Sequence, residues 1–261
     1  MKKILVPVDF SKSAGIALTY ISKLSQACKA ELIVHHVLGP DIEPSEANVT
    51  LYKEKLQSWS ERHIPEAVMS EISYEVSSGD FVEMISKTAI SGDCWFIGMG
   101  TKGASGLKEM FVGSNTVNLI DHVKVPVLII PDGADYEGMD YILLATDYKS
   151  IDNDDAFDVV KEIAMCHEAE VRLAHVKTDH KMASEQKVLE RHRQGHLFEP
   201  EVKYSYKVIF DKKGVIHGLN YYIRKKGDND LMVMINRNHG LLRKTFLENR
   251  TQRMAFHAHL P

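Results

Sequence analysis

Cysteine is scarce. Cys28, Cys94 and Cys166 are the only three in 261 residues, far apart and among apolar neighbours. Such spacing gives neither a metal set nor a disulfide framework, and a reducing cytoplasm is the simpler setting. A basic excess is also missing: 32 Lys and Arg face 36 Asp and Glu, a formal net charge of −4. That argues against nucleic acid as a partner. No apolar run reaches the roughly 18 residues a membrane span needs. The opening Met1–Asp9 stretch has two lysines and then an apolar run, but Pro7 breaks that run and Asp9 ends it. It is too short for the core of a secretory leader. The expectation is therefore a cytoplasmic protein with no membrane partner. Catalytic signatures are absent as well: there is no G-x-S-x-G, no H-E-x-x-H and no G-x-x-x-x-G-K-[ST].

What is present is globular and long enough for two ordinary domains, with 44% hydrophobic and 26% charged residues. Lys3–Val8 reads as a strand, Ser11 as the cap of a helix carrying Ala14, Ala17, Leu18, Ile21 and Leu24 at helical spacing. Glu31–Leu38 is a second strand, whose unbroken Leu32-Ile33-Val34 suits a parallel sheet covered on both faces. Ser45–His63 is a helix, Ile72–Val76 a strand, Phe81–Ile90 a helix, Cys94–Ile97 a strand and Val125–Ile130 a fifth strand. Strands alternating with helices predict a doubly wound α/β domain.

After a Pro-, Gly- and Asp-rich connector at 131–138 the pattern begins again. Tyr141–Asp147 repeats Lys3–Asp9 in character, Glu170–Val176 echoes Glu31–Val37, Tyr204–Val208 echoes Ile72–Val76, and Asp230–Ile235 echoes Asp93–Gly98. This is a duplication at domain size. The expected domains are 1–137 and 138–261. The last residues, Phe256–Pro261, correspond to Asp121–Pro126, so the second copy lacks its last strand.

The stretch Cys94–Asn115 carries the chemistry. An apolar strand runs into Gly98, Gly100, Gly103 and Gly106, and Gly113-Ser114-Asn115 introduces a second helix. Strand, flexible loop and helix start together suit a phosphate: glycine lets the backbone approach an anion, and the first helical amides and the helix dipole favour negative charge. Gly98–Gly103 spells G-x-G-x-x-G, but a further loop intervenes before any helix, unlike the dinucleotide fingerprint. Gly100-x-x-Gly103, nine residues, then Gly113-Ser114-Asn115 fits better. It resembles the ATP-binding motif of the universal stress protein family.

That resemblance spans the chain as a tandem pair, strongly over 1–132 and weakly over 139–261. It implies two doubly wound parallel-sheet domains with strand order 3-2-1-4-5. It also implies an adenine nucleotide at the ends of strands 1 and 4. Carried over, Asp9 faces adenine or ribose with Pro7 and Val8 backbone nearby, and Val37 contacts adenine. Gly100 and Gly103 flank ribose and phosphates, and Gly113, Ser114 and Asn115 bind the phosphate chain. The implied cofactor is ATP, with Mg bridging the phosphates. The second copy departs from this pattern: Gly240 can stand for Gly103, nothing matches Gly100, and Glu248 or Arg250 stands where Gly113 should recur. A glutamate there repels phosphate, so the second domain reads as degenerate.

Each residue also has a plainer reading. Asp9 can cap the helix near Ser11. His36 and His175 fall at matching strand positions and read as core histidines, with no carboxylate or cysteine partner at metal spacing; His257 and His259, with His239, suggest a metal but read as incidental histidines. The expected function is a nucleotide-dependent stress-response or regulatory protein, with weak ATPase activity at most. The alternatives are a nucleotide-free interaction scaffold and a slow ATP hydrolase or phosphotransferase. Family members pair through strand 5, so the two domains are expected to pair within the chain. The uncovered Val125–Ile130 edge predicts a homodimer.

Overall fold

The computed structural model describes residues 1–66, 72–101, 114–147, 155–178, 185–234 and 260–261. The chain divides into two compact units, Met1–Tyr136 and Glu137–Pro261. The first contains β1 (Lys3–Pro7), α1 (Lys12–Cys28), β2 (Glu31–Leu38), α2 (Glu46–Ser60), β3 (Ile72–Ser78), α3 (Phe81–Ser91), β4 (Cys94–Gly100), α4 (Ser114–His122) and β5 (Val127–Ile130). Its sheet has the order β3-β2-β1-β4-β5, parallel throughout. The second contains β6 (Tyr141–Ala145), α5 (Asp155–His167), β7 (Glu170–Lys177), α6 (Glu185–His196), β8 (Tyr204–Phe210), α7 (Val215–Lys226) and β9 (Leu231–Met234). Its four strands are parallel in the order β8-β7-β6-β9.

Both faces of the first sheet are covered, which is why its central strands are continuously apolar. Ile4, Leu5 and Val6 of β1 are fully buried. On the α3 and α4 side, Leu5, Ile33, Ile85, Ala89, Cys94, Ile97, Met99 and Leu119 form one cluster. Each large aliphatic side chain buried there contributes about 1.5–3 kcal/mol. Leu143, Ala174, Val176, Ile209 and Leu219 form a cluster in the second unit.

The elements follow the sequence reading with one informative difference. Gly98 and Gly100 lie in β4 and not in a turn. A Cβ on Gly98 would meet Ile21 at 2.7 Å, and one on Gly100 would meet the Ser13 hydroxyl at 2.5 Å and its carbonyl oxygen at 2.7 Å. Helix α1 lies so close on β4 that only glycine fits at these alternate positions.

The two units repeat one another bond for bond in places. The Ile97 amide donates to the Pro126 carbonyl at 2.9 Å, just before β5. The Met232 amide donates to the Pro261 carbonyl at 2.9 Å, the same register position on β9. The match of Pro261 with Pro126 read from the sequence is thus present in the backbone.

Candidate functional site

Strand β1 has β2 on one side and β4 on the other, and the crossovers from β1 and β4 lead in opposite directions. The crevice beyond the carboxyl ends of β1 and β4 is the switch point where such sheets bind ligands. The last ladder bond of β1 is Val8 N–H to the His35 carbonyl, 2.9 Å. The chain then turns sharply. Phe10 takes φ +62°, uncommon for a bulky residue. The Ser11 amide donates to Asp9 Oδ1 at 3.0 Å, and Ser11 Oγ accepts from the Ala14 amide at 3.1 Å as the cap of α1. Ser11 is thus the cap of α1, and Asp9 bonds the amide of that cap residue while its own side chain stays exposed.

At the end of β4, Gly100 abuts Ser13 in the first turn of α1. Its carbonyl accepts from the buried Thr116 Oγ1 at 3.4 Å. Thr116 is in the first turn of α4, so the start of that helix lies at the end of β4. A helix start carries unpaired amides and a partial positive charge, the physical basis of anion binding.

The expected site residues distribute as follows. Pro7 and Val8 are buried at the β1 exit, and Asp9 is exposed beyond them. Gly100 closes β4, Ser114 opens α4, and Asn115 is exposed one residue on. Val37 is the penultimate residue of β2, half-buried against the Leu5–Ile33 cluster. Gly103 and Gly113, with Lys102 and Lys108, lie outside the described residues, as do the second-copy positions Gly240, Glu248 and Arg250.

Sequence reasoning missed the aromatic support behind the β1 exit. His36 Nδ1 is 2.8 Å from the Val8 carbonyl. Its ring lies parallel to Tyr52 of α2, at 4° and 5.4 Å, and 4.5 Å from the Phe10 ring. Lys55 sits over Phe10 at 4.4 Å and over Tyr52 at 5.0 Å, and Trp59 meets Phe10 edge-on at 5.6 Å. Burial lowers the His36 pKa, outweighing the Val8 bond that raises it. Strand alternation was the available signal: it sends His35 and His36 to opposite faces. His35, on the other face, bonds Ser77 Oγ at 2.7 Å, and burial brings its pKa down to about 4.

A separate groove of about 380 Å³ runs along α1, lined by Phe10, Gly15, Ile16, Trp59, His63 and Asp135 among others. A Cβ on Gly15 would meet the His63 ring at 2.6 Å, so this helix-interior glycine makes room for the imidazole. Asp9, Gly100 and Asn115 do not line it. Among the described residues no group of three His, Cys, Asp or Glu could hold a metal ion, and no helix is long and apolar enough to cross a membrane.

Among curated proteins, the chain is similar to universal stress protein MJ0577 of Methanocaldococcus jannaschii, 28% identical over 152 residues, 49% of this chain and 94% of the relative. Among solved structures it is similar to a universal stress protein from Archaeoglobus fulgidus, with TM-score 0.73 and 19% identity over 99% of this chain and 96% of that one. A functionally unknown protein from Pseudomonas aeruginosa aligns with TM-score 0.60 and 15% identity over 93% of this chain and 85% of its own. At these identities the two structures speak for the fold. The model of the Universal stress protein family matches residues 1–131, half of the chain, and the chain belongs to that family.

Proposed function

We propose that the first unit binds ATP or another adenine nucleotide in the crevice beyond β1 and β4, and that occupancy biases how this cytoplasmic stress protein meets its partners. The supporting observation is the start of α4 at the end of β4, with Thr116 tied to the Gly100 carbonyl. Val37 would contact the base, and Asp9 the base or ribose, with the Pro7 and Val8 backbone nearby. Gly100 and Gly103 would flank the ribose and phosphates. Gly113, Ser114 and Asn115 would hold the phosphate chain, which Mg would bridge. ATP supplies an anionic tail for a helix start. Of the groups the first copy offers for turnover, Asp9 and the lysines, Asp9 accepts from the Ser11 amide through Oδ1. Hydrolysis should therefore be slow at most.

Mass spectrometry of the denatured protein and calorimetric titration with Mg-ATP test this reading. The expected result is a bound adenine nucleotide or a saturable heat signal. No nucleotide and no heat at millimolar ATP would overturn it. Gly113→Glu, which copies the second half of the chain, should abolish binding. The β5 edge also supports a homodimer that covers it. Its residues Val127, Leu128 and Ile129 are only half-buried.

A further inference from the structure

We propose that His36 is a positioning residue for the β1 exit: it holds the Val8 carbonyl and so fixes the direction in which Asp9 enters the crevice. The inference rests on the nucleotide reading for its functional half and on geometry for the rest. The sheet stops bonding this chain at the Val8 amide. The Val8 carbonyl, one atom group further on, is taken by His36 Nδ1 at 2.8 Å. A carbonyl only accepts, so Nδ1 carries the proton and Nε2 is left with a lone pair. That Nε2 is buried and has no hydrogen-bond partner among the described residues, and His36 is 8% exposed. An apolar side chain would avoid the unsatisfied nitrogen. The imidazole is explained by what its other nitrogen does.

The ring is itself held. Tyr52 lies parallel to it, and Phe10 packs on it at 4.5 Å. Phe10 is the residue with left-handed backbone, and such a conformation persists only where its surroundings over-determine it. The side chain that follows Asp9 thus rests on the ring that grips the carbonyl preceding Asp9. Asp9 is fixed from both sides.

The second unit repeats the device. His175 Nδ1 is 2.9 Å from the Thr146 carbonyl, and the Thr146 amide donates to the Ala174 carbonyl at 2.8 Å. Thr146 precedes Asp147 as Val8 precedes Asp9. Two occurrences at one register make a coincidental contact a poor explanation.

Two variants of similar size separate positioning from packing. His36→Asn sets an amide N–H near the place of Nδ1. His36→Gln sets one near Nε2 and removes the donor to Val8. In the full chain, amide hydrogen exchange of the Asp9–Ser11 turn, urea unfolding and titration with Mg-ATP are measured for both. The Asn variant should keep turn protection and affinity within about threefold of wild type. The Gln variant should exchange about tenfold faster in the turn and bind about tenfold more weakly, the size of one lost hydrogen bond, at matched urea stability. His175→Gln should leave the titration unchanged. Wild-type exchange and affinity in the His36→Gln variant would overturn the inference. So would equal losses in both His36 variants that follow their loss of stability, or a His175→Gln loss as large as that of His36→Gln. If the wild type takes up no Mg-ATP, the nucleotide reading falls, and turn exchange alone decides the positioning role.

Discussion

Single residues in the first unit carry two separable burdens, packing and titration. Gly100 belongs to packing. The atoms an added methyl would strike include the Ser13 carbonyl, which is backbone and cannot rotate away. Gly100→Ala should cost about 1–3 kcal/mol, as overpacking does. Gly39→Ala, where nothing among the described residues lies within 4 Å, should be near neutral. Urea midpoints of the two variants check the contrast. His35 belongs to titration. It is 2% exposed, and burial, with His36 beside it, holds its pKa at about 4 against an ordinary 6.5. The unfolded chain therefore binds this proton first as pH falls. The stability tied to neutral His35 is fully present above about pH 6.5 and is lost progressively down to about pH 4, up to about 3 kcal/mol. Glu75 Oε2 is 3.9 Å from Nδ1, outside hydrogen-bond range. His35→Gln, which can keep the Ser77 contact, should flatten the slope of unfolding free energy between pH 6.5 and 5.

Whole elements explain where the sequence was legible and where it was not. The alternation of strand and helix was plain because each central strand is buried on both faces and reads as an unbroken apolar run. Ser11, Ser45 and Asp80 cap α1, α2 and α3 through their own side chains, so those starts are written locally. The end of β4 was not. Gly98 and Gly100 look like a turn until α1, some eighty residues earlier, is laid across them. The Phe10, His36, Tyr52 and Lys55 cluster likewise unites a turn, a strand and a helix that share no local motif. Arg172 was missed for the same reason. It is 7% exposed in the middle of β7, bonds both Asp228 oxygens at 2.9 and 3.1 Å and Asn229 at 3.1 Å, and stacks 3.5 Å over Tyr141 of β6. It locks two strands to the loop before β9. Asp228→Ala should destabilise the second unit by about 1–3 kcal/mol, below the full figure for a buried pair because Asp228 is 41% exposed. Arg172→Met added to it should recover part of the loss by removing the stranded guanidinium. The hydrogen bond from Arg172 holds the Asp228 carboxyl below its ordinary range. That stabilisation is present above about pH 4 and fades as pH falls further, which acid unfolding monitored on both variants would register.

For the molecule as a whole, the duplication was legible because the copies share register and not merely composition. The difference between their loops is legible in the sequence alone, since Gly103, Gly113 and their counterparts fall outside the described residues. Light scattering at working concentration should give twice the chain mass of 29.5 kDa if the β5 edge pairs between copies. A monomer would refute that pairing. Replacing Leu128, on β5, with lysine should return a dimer to monomer, since a charge on an edge strand opposes strand addition.

Cys94 offers a practical handle on the same sheet. It opens β4, 9% exposed in the apolar cluster, and burial pushes its thiol up to about 11. At pH 8 only about one thiol in a thousand is then ionised, and the rest is shielded. Cys28 and Cys166, both partly exposed, should alkylate readily in the native protein. Slow modification of Cys94 would occur only when that strand comes free. Counting adducts over time would thus clock local opening of the sheet without any engineered label.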